Sequence, residues 1–108
     1  MRYGMTFDIE MFDFERGEEM HVLAMPGDCI RMNDWFGRSY EPSGAEMADD
    51  MRRNYALAWF SLSRRGQLAG LDLPEEPSVE AFDAMADRFS IYVADFTDDK
   101  RPTAAGAR

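Results

Sequence analysis

Between Ala45 and Arg65 the apolar residues recur at helical spacing, and Met47, Met51, Tyr55, Ala58, Trp59 and Leu62 project onto one arc of about 120°. No other segment constrains the fold as strongly. A helix carrying such a stripe must be covered along it, so the rest of the chain is expected to supply the cover. The predicted helix also has a marked end. Arg64 and Arg65 fall in its last turn, where cations meet the negative end of the helix dipole, and Gly66 follows as the residue that tolerates a left-handed stop.

The N-terminal segment, from about Tyr3 to Ala24, has a different period. Phe7, Ile9 and Met11 alternate with Asp8 and Glu10, as expected of a strand with one buried face. The apolar positions then shift to Phe12 and Phe14, which predicts a bulge or a change of buried face. Arg16-Gly17-Glu18-Glu19 reads as a turn, after which Met20, Val22 and Ala24 alternate with His21 and Leu23. Two strands joined by a short turn follow from this pattern. A lone hairpin is barely stable in water, so it must pack on something else.

Pro26-Gly27-Asp28 is expected to end the second strand, with Asp28 capping a short helix through Ile30, Met32, Trp35 and Phe36 that Gly37 stops. Tyr40 to Gly44 is a loop by composition, and so is Leu68 to Pro77, which carries two prolines. Ser78 then offers a helix cap, with Glu80 in the first turn and Val79, Phe82, Met85 and Phe89 at helical spacing. Beyond Ser90 the segment IYVADF fits a helical extension or a strand equally, and TDDKRPTAAGAR reads as a frayed tail. The expected architecture is α+β: an N-terminal β-hairpin packed on two or three α-helices. It forms a single domain over residues 1–96, followed by a flexible tail over 97–108. The expected core holds Phe7, Ile9, Val22, Ile30, Met51, Tyr55, Trp59, Leu62, Phe82 and Phe89, with Trp59 at its centre.

With 45% hydrophobic residues the chain can build that core, and its net charge of −9 bears on partners. Such a field repels phosphate backbones and anionic membranes, so nucleic acid and membrane surfaces are not expected partners. The single cysteine, Cys29, excludes an internal disulfide and suits a reducing compartment. No apolar run is long enough to span a membrane, and a cytoplasmic location is expected.

The chemistry-bearing residues are few. His21 and Cys29 are the only imidazole and thiol, no CxxC or HxxxH spacing exists, and neither a metal nor a cofactor is expected. A Cys29–His21 pair lacks a third group to orient the imidazole. Gly17, Gly27, Gly37, Gly44, Gly66 and Gly70 stand singly at predicted element ends, so no phosphate-cradling loop is present. No catalytic residue can be named, and the expected role is not enzymatic.

Apolar surface is more informative. Leu57 and Phe60 project away from the main stripe of the long helix. A helix covered on two sides, by the hairpin and by the last helix, explains them. So does an exposed patch in which Arg53, Leu57, Phe60 and Arg64, at i, i+4, i+7 and i+11, form a partner surface. The nine methionines suit either an irregular core or an adaptable interface.

Three segments carry a resemblance. DCIRMNDWFGRS (Asp28 to Ser39) is similar to the acidic-apolar stretch ending in aromatic-Gly found in tail assembly chaperones of long-tailed bacteriophages. It departs from their pattern at Asn33-Asp34-Trp35, where a Phe-Glu pair is expected. LAWFSLSRRG (Leu57 to Gly66) resembles their Ala-Trp-x-x-Leu-x-Arg-x-Gly helix end, and SVEAFDAMAD (Ser78 to Asp87) their closing helix with Phe five residues before Asp. The resemblance implies a non-enzymatic protein that binds the tape measure protein and recruits tail tube protein around it. Many members are made in two forms by a programmed frameshift. A homo-oligomer is left open. The other reading of the acidic composition is a small regulatory adaptor or DNA-mimic inhibitor that blocks a basic protein.

Overall fold

The computed structural model describes residues 6–95, so the expected tail over 97–108 lies outside the described residues. The elements run β1 (Phe7–Asp13), β2 (Glu18–Ala24), α1 (Pro26–Ser39), α2 (Glu46–Arg64), a 3-10 turn (Ala69–Leu71), α3 (Val79–Arg88) and β3 (Phe89–Asp95). The α+β class is as expected, with one strand more than the hairpin. β3 returns to pair antiparallel with β1, giving a three-stranded sheet of order β2-β1-β3. Of the ambiguous segment IYVADF, Ile91 to Asp95 are therefore strand, and Phe96 lies outside the described residues. Helix α3 ends at Arg88, and Phe89, expected on that helix, opens β3.

Register fixes the two faces of the sheet. Ile9 pairs with Val22 and Val93, and Met11 with Met20 and Ile91. Ile9, Met11, Val22, Ala24 and Phe89 share one buried cluster with the helices. Phe7, expected in the core, is half-buried against it. The expected bulge at Phe12 and Phe14 is absent from β1, whose pairing with β2 runs unbroken from Phe7 to Asp13. Instead Asp13 continues the buried alternation, while Phe14 lies beyond the strand, 69% exposed. A charged side chain holds that inward position because Arg88 Nε and Nη2 donate to Asp13 Oδ1 and Oδ2 at 3.0 and 2.8 Å. Asp13 Oδ1 also accepts the amide of Glu15 at 2.9 Å, and Gly17 completes the turn at φ +67°.

Helix α1 is longer than expected at both ends. Pro26 begins it, its fixed φ and missing N–H suiting the first turn, and Asp28 lies one turn in, where it accepts the Met25 amide at 2.8 Å. The helix runs through Gly37 and stops at Tyr40, whose extended backbone precedes Pro42. Helix α3 starts as predicted, with Ser78 Oγ accepting the Ala81 amide at 3.0 Å.

α2 is the hub, packing against α1, α3 and β2. From Tyr55 to Leu62 every residue is buried, whereas Met47 and Met51 on the same stripe are 75% and 52% exposed. The second half of the helix thus runs through the core, and the first half projects beyond its cover. Met51 is accordingly not a core residue. Ile30 is not one either, at 69% exposed, because α1 turns Cys29 and Phe36 inward and carries Ile30 on its outer side. Trp59 is central as expected. Its ring is 2% exposed, lies edge-on to Phe60 and Phe82, and donates from Nε1 to the Pro74 carbonyl at 3.0 Å.

Candidate binding surface

The four residues expected to form a partner surface do lie on one side of α2, and that side is occupied by α1. Arg53 places its guanidinium 4.7 Å over the Phe36 ring. Leu57 is 6% exposed and Phe60 8%, both within the buried cluster. Arg64 Nε donates to both oxygens of Asp28 at 3.0 Å, and its Nη2 to the Leu23 carbonyl at 2.9 Å. Asp28 at the start of α1 thus meets the end of α2, and Phe36 further along α1 meets the middle of α2. The two helices run antiparallel. The exposed-patch reading of Leu57 and Phe60 is therefore corrected: they are core residues, and the arginines beside them clamp α1 and β2 to α2.

The seam is built around Asp28, which is fully buried. Besides Arg64 and the Met25 amide, it accepts from Arg31 Nη2 at 2.5 Å and from Ser61 Oγ at 3.2 Å. A buried carboxylate needs such a shell, because an unpaired charge is costly away from water. Burial, with the Asp28 charge adding to it, pushes the neighbouring Cys29 thiol up and away from the reactive thiolate. His21 is not near it. Its ring is exposed on the outward side of β2, with Nδ1 3.4 Å from Asp8 Oδ1.

Apolar surface is open elsewhere. Between α2 and α3 lies a groove of ≈ 180 Å³ lined by Ala48, Met51, Arg52, Tyr55, Phe82, Asp83 and Ala86. Arg52 Nε and Nη2 grip Asp83 at 2.9 and 3.0 Å, and Arg52 Nη1 donates to the Tyr40 hydroxyl at 3.2 Å. These bonds hold the guanidinium firmly in its charged form. They fix the polar edge of the groove, while Met51, with Met47 one turn before it, forms an exposed apolar shelf. Met47 and Met51 were visible in the sequence as part of the stripe. The signal that would have separated the halves of α2 was the run Tyr55–Leu62, which contains no charged residue and is apolar all round.

The outward face of the sheet is the second distinctive surface. It carries Asp8, Glu10 and Phe12 on β1, Glu19, His21 and Leu23 on β2, and Ser90 and Tyr92 on β3. Asp8, Glu10 and His21 bring their donor atoms within 4.8 Å of one another and are the residues able to hold a metal ion among those described. No helix among the described residues is long and apolar enough to cross a membrane. No protein-family model, curated protein or solved structure matches the chain.

Proposed function

We propose that the chain is a non-enzymatic tail assembly chaperone of a long-tailed bacteriophage or prophage, acting in the cytoplasm of the bacterial host. In this reading it binds the tape measure protein and helps recruit tail tube subunits around it. The observation that carries the reading is the shelf of Met47 and Met51 beside the α2–α3 groove. An amphipathic helix from the partner can lay its apolar face there, with the Arg52–Asp83 pair as a polar edge. Methionine side chains adapt to many helix registers, as a chaperone for a long repetitive helical protein requires. The three family-like segments support the reading from another direction: they form α1, the buried half of α2 with its Gly66 stop, and the capped α3.

The test is capture of a tape measure fragment by the full chain, followed by size-exclusion chromatography at low and high salt. The Met47→Ser/Met51→Ser double variant should lose capture with its circular dichroism and melting temperature unchanged. Binding that survives in this variant would remove the shelf from the proposal. The regulatory adaptor reading draws on the acidic residues of the open sheet face, and predicts instead a basic partner, strong salt dependence and competition by DNA.

A further inference from the structure

We propose that Asp8, Glu10 and His21 form a binding site for a divalent transition-metal cation of the zinc class on the outward face of the sheet. Sequence spacing hides this set, because the ligands come from two strands. Asp8 and Glu10 are two apart on β1 and share a face, and register places His21 of β2 directly opposite Glu10. Their donor atoms converge within 4.8 Å. The contact between His21 Nδ1 and Asp8 Oδ1 is 3.4 Å, long for a hydrogen bond. It is close to the separation of about 3.3 Å between neighbouring ligand atoms of a tetrahedral zinc, given metal–ligand distances of about 2.0–2.2 Å.

Charge points the same way. Two carboxylates sit side by side on a chain of net charge −9, and among the described residues Asp8 pairs with His21 while Glu10 has no ion pair. A cation between them replaces repulsion with two attractive contacts. β1 is the central strand, so the backbone carrying Asp8 and Glu10 is paired on both sides, by β2 and by β3. One imidazole nitrogen and two carboxylate oxygens suit zinc or a neighbouring transition metal, whereas magnesium prefers an all-oxygen octahedral shell and keeps its waters. Three protein ligands leave at least one coordination position to solvent, and the side chains of Glu10 and His21 are exposed, so an incoming donor can reach the ion.

The experiment is calorimetric titration of ZnCl2 into the untagged full chain at neutral pH, with MgCl2 as comparison and His21 ring nitrogen shifts followed by NMR. Zinc should bind saturably at one ion per chain and shift the His21 resonances, and magnesium should not compete. His21→Ala and Glu10→Gln should each weaken zinc about tenfold or more while leaving circular dichroism unchanged, since both side chains are exposed. Zinc affinity unchanged in His21→Ala, or the absence of saturable binding by the unmodified chain, would overturn the site.

Discussion

Replacing Asp28 with Ala should separate α1 from the rest of the molecule more effectively than any surface change of equal size. The carboxylate has no exposed area and receives hydrogen bonds from Met25, Arg31, Ser61 and Arg64. Breaking a fully buried ion pair costs about 3–5 kcal/mol, mainly because one charge is left unpaired in a dry site. Here the stranded partners are only partly dry. The Arg31 and Arg64 side chains are 49% and 34% exposed, so both can recover water. Ser61 keeps its bond to the Leu57 carbonyl at 2.8 Å. The Met25 amide is left without its acceptor. A loss of about 2–4 kcal/mol is therefore expected, a large share of the roughly 5–15 kcal/mol that holds a typical domain. Asp28→Asn retains one acceptor oxygen and should fall between the two. The assay is urea unfolding followed by tryptophan fluorescence, run as a double-mutant cycle with Arg64→Ala. A coupling of about 1–3 kcal/mol is expected for residues in direct contact. An Asp28→Ala cost below about 0.5 kcal/mol, the scale of an ordinary surface substitution, would refute the reasoning. So would additivity of the two changes.

Asp13 predicts acid sensitivity at the other end of the sheet. The Arg88 guanidinium, aided by the Arg16 and Glu15 amides and opposed by burial, holds its carboxyl at about 2, below the ordinary 3.8. A carboxylate depressed in the folded state stabilises fully above its unfolded value, and that contribution drains away as pH falls from about 4 through about 2. Urea midpoints across this window should fall more steeply for the natural chain than for Asp13→Asn, and parallel slopes would contradict the ion pair. Leu57→Ser with Phe60→Ser should abolish the fold. Truncations of buried Leu and Phe each cost about 2–5 kcal/mol, and a buried hydroxyl adds to that. A cooperative melt near that of the natural chain would return these residues to the surface.

Where local chemistry decides an element, the sequence was legible. Ser78 caps α3, Gly66 ends α2 at φ +69°, and the period-two pattern of Phe7–Met11 builds β1. Misreadings arose where a distant partner decides. Nothing near Asp13 in sequence announces Arg88, which is 75 residues away and holds the Asp13 carboxylate on the buried face of β1. Its inward position made Phe12 and Phe14 resemble a shift of face. β3 was ambiguous because IYVADF lacks polar alternation, and its pairing with β1 settles the matter. By residue type Asp28 suits a cap and Gly37 a stop, yet Pro26 fixes the start of α1 and the helix tolerates the glycine at modest cost.

The partner surface failed for a more general reason. Amphipathic pattern says that a helix face is covered but not by what, since a helix of the same chain and a helix of another bury identical residue types. Arg53, Leu57, Phe60 and Arg64 have the composition of an interface, and they are one, between α2 and α1. The arginines gave a misleading impression of a solvent rim. Each has an alternative inside the fold, a ring for Arg53 and a buried carboxylate for Arg64, and only the tertiary structure supplies it. The informative contrast lies along α2 rather than around it. From Tyr55 to Leu62 every residue of the helix is buried, which leaves no room for an outside partner. Before Tyr55 its stripe continues through Met51 and Met47 with charged residues on either side, and it is there that apolar area faces water. A partner helix seated on that shelf would lengthen the same packing that α1 and α3 begin. Binding and folding would then draw on one continuous stripe, divided at Tyr55 into the part the chain covers itself and the part it leaves open.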